Sequence, residues 1–303
     1  MKLVTFNGGN EDRVGVLLGE KTVLDIARAC GEAASADTAR LKSLAGDMLG
    51  VIRGGSRVCE ALGKLMDNPP ESAMVDLSDV TVRAPIPRPE RNVFCVGRNY
   101  LAHVREGDRT RNQETTLPEW PQFFTKPPQA VIGPEETIPS YQGFTKCLDY
   151  EVELAIVIGT EGRDIAEGDA MAHVFGATIG NDITARDVQR RHVQWFKGKG
   201  LDRSCPLGPW IVTRDELDPT DLELSLRVNG ELRQQNRTSN MIFPIPTIIS
   251  QLSAGMTLYP GDIILTGTPE GVGYAMDPPR CLLPSDDVVA TIEGIGFLRN
   301  RVA

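Results

Sequence analysis

The chain has 303 residues, of which 41% are hydrophobic and 24% charged, a balance typical of globular proteins. Its formal net charge of −9 argues against nucleic acid as a partner, because phosphate binding needs a basic face. No run approaches the ~18 apolar residues of a membrane span, and the N-terminal segment lacks the apolar core of a signal peptide. A cytoplasmic protein without a membrane partner is therefore expected.

The six cysteines stand singly and form no C-x-x-C pair. Several have apolar neighbours, as in Val93-Phe94-Cys95-Val96. We therefore expect reduced thiols, many of them simply core residues.

Residues 1–80 are predicted to form a small N-terminal α/β domain. Its strands are expected at Lys2–Phe6, Arg13–Leu18 and Thr22–Ile26, and residues 36–68 have helical spacing of their apolar positions. A proline-rich connector follows, so the catalytic domain is expected to cover residues 81–303.

The second part is richer in strand patterns. Buried strands are predicted at Val93–Val96, Glu151–Gly159 and Val174–Asn181, and a hairpin is predicted around Asn229-Gly230. Strands do not alternate regularly with long helices, which makes a doubly wound sheet unexpected. The predicted class is α+β and β-rich.

Three carboxylates stand at the ends of predicted buried strands. Glu151 and Glu153 are two apart at the start of one strand, so their side chains point to the same face. Asp182 follows the strand Val174–Asn181, and neighbouring strands would bring all three together. Such a cluster suits Mg²⁺, with Mn²⁺ or Ca²⁺ as alternatives. The competing interpretations are a solvated strand end and, for Asp182, a helix N-cap.

A second candidate is the pair His103 and Glu106, three apart on a predicted short helix with Asn99 as its N-cap. A carboxylate on one imidazole nitrogen makes the other a general base. The alternative is an ordinary surface pair. His173 and His192 are interpreted as structural, and the polar segment 107–120 as a mobile cover.

Cationic and amide side chains form a third group. Arg186 and Gln189 are three apart on a helix predicted over Thr184–Gln194, and could hold a carboxylate. Lys199, on a loop made flexible by its glycines, could reach the same place, and Lys126 stands further off. Solvation at the surface is the alternative for each.

The glycine-rich segment 266–273 contains Thr268 but lacks the spacing of a phosphate-binding loop. Its glycines would let backbone amides and the Thr268 hydroxyl approach an anionic ligand. A plain tight loop is the alternative.

Together these segments resemble the fumarylacetoacetate hydrolase family, and the match looks closest to its acylpyruvase and oxaloacetate decarboxylase-like branch. The motifs that carry the resemblance are G-R-N-Y-x-x-H-x-x-E at 97–106, F-x-K-P at 124–127, D-Y-E-x-E at 149–153, D-x-T-A-R-D-x-Q at 182–189, G-K-G at 198–200, C-P-L-G-P at 205–209, V-N-G-E at 228–231, G-D-I-I-L-T-G-T-P-x-G-V-G at 261–273 and E-G-I-G-x-L-R-N at 293–300.

The resemblance implies a mixed β-sandwich roll, commonly a homodimer, preceded by a small N-terminal domain. It implies metal ligands at Glu151, Glu153 and Asp182 and a catalytic His103–Glu106 dyad on a lid. It also implies Lys199 at the substrate, which Arg186, Gln189 and Thr268 would contact, with Lys126 as a further candidate.

The expected activity is Mg²⁺-dependent hydrolysis of a C–C bond in a 2,4-diketo acid of the acylpyruvate or fumarylpyruvate type, releasing pyruvate. In that reaction His103 would activate a water molecule and Lys199 would stabilise negative charge. Oxaloacetate-type decarboxylation and hydroxymuconate-type isomerisation on the same site are alternatives. An inactive paralogue that binds a keto acid is a non-enzymatic alternative.

Overall fold

The computed structural model describes residues 1–9, 11–32, 41–44 and 46–303. Its strands are β1 Lys2–Asn7, β2 Asp12–Leu18, β3 Thr22–Asp25, β4 Met74–Asp76, β5 Thr81–Val82, β6 Val93–Gly97, β7 Gln122–Lys126, β8 Val131–Ile132, β9 Thr137–Ile138, β10 Leu148–Asp149, β11 Val152–Ile158, β12 Val174–Asn181, β13 Thr184–Ala185, β14 Cys205–Thr213, β15 Glu223–Val228, β16 Glu231–Arg237, β17 Ile263–Leu265, β18 Asp287–Ile292 and β19 Gly296–Val302.

The helices are α1 Ile26–Glu32, α2 Met48–Asp67, α3 Leu101–Thr110, α4 Arg186–Arg191, α5 Phe196–Lys199 and α6 Ile245–Ser253, and residues 41–44 are also helical. Short 3₁₀ turns lie at Glu71–Ala73, Leu77–Asp79, Pro128–Ala130, Glu167–His173, Thr238–Asn240 and Gly273–Ala275. Across the described ranges, no helix has the length and apolarity that crossing a bilayer requires.

The strands of the described residues form two large sheets and one two-stranded sheet. The larger has the order β4-β3-β2-β1-β14-β12-β11-β17-β6-β7, with β5 on β1 and β8 on β14. The smaller has the order β16-β15-β18-β19-β9, and β10 and β13 form a separate pair. The predicted β-rich α+β class, with its sandwich roll, is confirmed.

Strand β11 lies in the middle of the larger sheet and is buried along its whole length. Leu154 and Ile156 pack in the core shared with the smaller sheet, and Ala155 and Val157 pack in the core shared with α2. Both faces are therefore covered, which explains why the sequence of this strand is continuously apolar.

The predicted N-terminal strands form, and β1 pairs with β14, so these strands extend the larger sheet. The predicted helical stretch 36–68 partly lies outside the described residues; within them, α2 begins after Asp47, whose side chain accepts the Gly50 N–H at 2.7 Å. The domain boundary near residue 80 stays a prediction. The hairpin turn at Asn229-Gly230 is present, with positive φ at both residues.

Three local predictions were wrong. Asn99 does not cap α3, because its side-chain amide bonds the backbone of Phe243 and Thr266 instead. The helix after Asp182 begins at Arg186, since Thr184–Ala185 pairs with β10. The stretch expected to be a flexible basic loop around Lys199 is helix α5.

The expectation that all cysteines are reduced was also wrong. Cys147 and Cys281 form a disulfide, with Cα atoms 5.2 Å apart. The neighbouring residues explain it, because the Leu282 N–H donates to the Leu148 carbonyl at 2.7 Å and brings the two segments together. Among the other four, Cys30, Cys95 and Cys205 are buried and Cys59 is half-buried.

Candidate functional site

The predicted carboxylate cluster forms at the ends of two central strands of the larger sheet. Strands β11 and β12 are antiparallel neighbours, so the start of one lies beside the end of the other. The Asp182 N–H donates to the Glu151 carbonyl at 2.8 Å. Ligand oxygens of Glu151, Glu153 and Asp182 lie within 4.8 Å of one another, and all three residues are buried.

Part of this buried charge is neutralised by three cations, which are Lys199, Arg186 and Lys126. Lys199 Nζ lies 2.6 Å from Glu151 Oε2 and 2.6 Å from Asp182 Oδ2, and Arg186 Nη2 lies 2.7 Å from Glu151 Oε1. Burial alone would raise the pKa of Glu151, but the charges of Lys199 and Arg186 outweigh it and lower that pKa to about 2. Burial opposes the Lys199 ammonium, yet Asp182 and Glu151 raise its pKa above the ordinary value.

Glu153 is the less compensated member of the cluster. Its Oε2 accepts the Gly267 N–H at 2.6 Å, but no Lys or Arg of the described chain lies within ion-pair distance. Burial, together with Asp182 and Glu151, holds the pKa of Glu153 well above its usual range. A divalent cation would supply the missing positive charge, and three carboxylates are a ligand set that Mg²⁺ or Mn²⁺ accepts. The residues therefore fit a metal.

The histidine pair forms as predicted. His103 Nδ1 lies 2.8 Å from Glu106 Oε1 on helix α3, and Glu106 Oε2 accepts the Gly271 N–H at 2.9 Å. Each side chain is only 12% exposed. With both Glu106 oxygens held, the imidazole is oriented through Nδ1, which leaves Nε2 for chemistry.

A cavity of about 280 Å³ opens above these groups, a size that suits a small substrate. Of the residues predicted from the sequence, those that line it are His103, Glu151, Glu153, Arg186, Gln189, Lys199 and Thr268. The Thr268 hydroxyl also accepts a hydrogen bond from Gln234 Nε2 at 2.8 Å, so it is fixed toward the site.

Lys126 is placed differently from the other candidates. It is fully buried, and its Nζ donates to Asp182 Oδ1 at 2.7 Å and to the Ile183 carbonyl at 3.0 Å. It also donates to the Lys199 carbonyl. This geometry makes Lys126 a support for Asp182 and Lys199 rather than part of the cavity wall.

Asp149 lies beside the site, and the sequence reasoning did not select it as a site residue. Its fully buried carboxylate accepts hydrogen bonds from Arg186 Nε at 2.9 Å, Gly273 N at 2.8 Å and Tyr274 N at 3.1 Å. It thereby joins the glycine-rich segment to the arginine beside the carboxylate cluster. Asp149 could have been identified from the sequence, because it is the first residue of the D-Y-E-x-E motif.

The buried carboxylate of Asp108 connects the segment after α3 to the cavity, because it binds two arginines that line the cavity. Asp108 binds Arg98 through two contacts of 2.8 and 3.1 Å, and Arg111 at 2.5 Å. The hydrogen bonds from Arg98 lower the pKa of Asp108 to about 2 despite its burial. Arg98 also donates to the Thr116 carbonyl at 2.8 Å, which anchors part of the segment predicted to be a cover.

Comparison with known proteins agrees with this architecture. The family model described as fumarylacetoacetate (FAA) hydrolase C-terminal matches residues 92–303. The chain is 41% identical over 309 aligned positions to the oxaloacetate tautomerase YisK of Bacillus subtilis, with all of both chains covered.

Two solved structures are also similar. A fumarylacetoacetate hydrolase from Exiguobacterium antarcticum superposes with a TM-score of 0.81 at 40% identity, covering 100% of this chain and 99% of the other. The maleylpyruvate hydrolase of Sphingobium sp. SYK-6, in complex with manganese(II) and pyruvate, gives a TM-score of 0.76 at 31% identity over 100% and 99% of the two chains.

Proposed function

The chain belongs to the fumarylacetoacetate hydrolase family, and from that premise we propose that it catalyses metal-assisted keto–enol tautomerisation of oxaloacetate or a similar 2-keto dicarboxylate. The observation that carries the proposal is the His103–Glu106 dyad at a cavity that Glu151 and Glu153 of the carboxylate cluster also line. The oxaloacetate tautomerase similar along its whole length supports the choice of substrate.

The dyad supplies the proton transfer. In this proposal the Nδ1–H of His103 donates to Glu106, so that Nε2 carries the lone pair. Nε2 removes a proton from C3 of the keto form, and the resulting imidazolium gives that proton to the enolate oxygen to form the enol; the reverse direction uses the same groups. No bond between carbon atoms breaks.

The cations provide the electrostatic part. Lys199 and Arg186 line the cavity, and in this proposal their positive charge stabilises the keto oxygen as it becomes negative. Glu151, Glu153 and Asp182 would hold a divalent cation, which when bound supplies Lewis-acid polarisation of the substrate oxygens. Burial of this region excludes water and strengthens each of these charge interactions.

Decay of the oxaloacetate enol, followed by its ultraviolet absorbance in Mg²⁺ buffer against a protein-free blank, tests the proposal. His103→Ala is expected to lower the rate by about 100-fold or more, the usual contribution of a general base. His173→Ala is the matched control, since His173 lies away from the cavity and bonds the Thr160 carbonyl. Parental tautomerisation by His103→Ala would refute the dyad, and a wild-type rate equal to the blank would refute the function.

Hydrolysis of an acylpyruvate is the second candidate, and one observation favours it. The same His103 can deprotonate a water instead of a carbon acid, and the similar Sphingobium structure is of a maleylpyruvate hydrolase with bound pyruvate. Pyruvate release from an acylpyruvate panel, measured with the same variants, decides between the two. Release of CO₂ and pyruvate from oxaloacetate, assayed separately with the same variants, would indicate a decarboxylase instead.

A further inference from the structure

The cations that line the cavity differ in whether a carboxylate of the protein already pairs with them. Arg98 and Arg111 share Asp108, and Arg186 and Lys199 share Glu151. Arg190 also lines this cavity and is exposed, but no carboxylate of the described ranges lies within ion-pair distance of it. Its guanidinium is therefore available to an anion from outside the chain.

Arg190 is held in place by an aromatic ring. Its guanidinium carbon lies 5.1 Å from the centre of the Tyr274 ring, and that of Arg186 lies 4.4 Å from the same centre. The backbone of Tyr274 is fixed by its hydrogen bond to Asp149. Stacking on a ring orients a guanidinium and leaves its N–H groups for another partner.

The two arginines lie one turn apart on α4, where like charges repel. Asp149 and Glu151 neutralise Arg186, whereas the charge of Arg190 has no such compensation. An anion beside Arg190 would remove the repulsion. Among its described residues, helix α4 thus offers one compensated arginine, Arg186, beside the carboxylate cluster and one uncompensated arginine, Arg190.

Arg190 lines two cavities. Together with Arg186 and Tyr274 it also lines a second cleft of about 690 Å³. Because Arg190 lines the same cavity as Glu151 and Glu153, a substrate whose 2-keto acid end lies at the carboxylate cluster could present its other end to Arg190.

We infer that Arg190, stacked on Tyr274, forms a subsite for the second carboxylate of the substrate, so that the protein selects 2-keto dicarboxylates over 2-keto monocarboxylates. The inference rests on the proposed function, whose substrate class it names. A guanidinium suits this task because its N–H groups can bind both oxygens of a carboxylate.

The test compares Arg190→Gln with Arg191→Gln. Arg191 is the next residue, is exposed and does not line either cavity. With oxaloacetate, Arg190→Gln is expected to raise KM by about 10- to 100-fold with kcat changed less than about threefold, in line with loss of a charged hydrogen bond. With the 4-ethyl ester of oxaloacetate, which lacks the second charge, both variants should match the parent.

A binding measurement separates this inference from the proposed function. Calorimetry in Mg²⁺ buffer would use 3,3-difluorooxaloacetate and trifluoropyruvate, neither of which has a C3–H to transfer. Arg190→Gln is expected to weaken the dicarboxylate by about 10- to 100-fold and leave the monocarboxylate unchanged. That result would support the subsite even if oxaloacetate is not tautomerised. Equal losses for both ligands, or no loss for the dicarboxylate, would overturn it.

Discussion

Replacing Lys199 with methionine removes an ammonium that lies 2.6 Å from two carboxylates, Glu151 and Asp182. The Lys199 side chain is only 3% exposed, so water cannot take its place without rearrangement. Removing one partner of a buried ion pair costs about 3–5 kcal/mol, because it leaves buried charge uncompensated. For a chain of this size that loss lowers Tm by about 6–15 °C.

A divalent cation should restore much of this stability, since it supplies positive charge to the same oxygens. At a free concentration of about 100 times Kd, binding stabilises the folded state by about 2.7 kcal/mol. The variant should therefore gain more from Mg²⁺ than the parent, whose carboxylates already have the Lys199 ammonium beside them.

Thermal unfolding in EDTA and in excess Mg²⁺, followed by circular dichroism, measures both effects. Lys197→Met is the matched control, because Lys197 is exposed two residues earlier and lies over the Phe144 ring. The control should change the free energy of unfolding by no more than about 0.5 kcal/mol. The reasoning fails if Lys199→Met is as stable as the control in EDTA, or if Mg²⁺ stabilises neither variant.

Two further predictions concern the cavity wall and the disulfide. A Cβ at Gly97 would lie 2.1 Å from Cζ3 of Trp195, so Gly97→Ala should displace the indole and reduce turnover by about 10- to 100-fold. The displacement should also change the near-ultraviolet circular dichroism spectrum. A parental rate of turnover would contradict this prediction. Because Cys147 and Cys281 are joined, Ellman titration of protein prepared and denatured without reductant should find four thiols, and six after reduction. Six thiols before reduction would show that the bond is absent in solution.

Several parts of the site could be predicted from the sequence because short-range geometry decides them. The alternation of a strand puts Glu151 and Glu153 on one face, and a spacing of three on a helix puts His103 beside Glu106. The continuous apolar runs also marked β11 and β12 as buried strands, which is why the position of Asp182 at a strand end was informative.

Predictions from the local sequence were wrong where a residue is needed for a tertiary contact and not for the backbone conformation of its own segment. The glycines around Lys199 predicted a flexible loop, but this stretch is helical, and a Cβ at Gly198 would lie 2.6 Å from the Cα of Gln189. Gly198 is thus needed for close packing of two helices. Asn99 is likewise a residue type that often caps helices, but its side-chain amide forms hydrogen bonds with the backbone of Phe243 and Thr266, which are distant in sequence.

The sequence by itself determined the family, the β-rich class and the carboxylates and histidine of the site. Motifs and strand periodicity depend only on residues that are close together in sequence. Only the tertiary structure decided that Lys126 supports Asp182 from behind, that Asp149 holds Arg186, and that Arg190 lacks a carboxylate partner within the described chain. These relations join residues tens of positions apart through strand pairing and packing. No local pattern encodes which of several buried cations reaches which carboxylate.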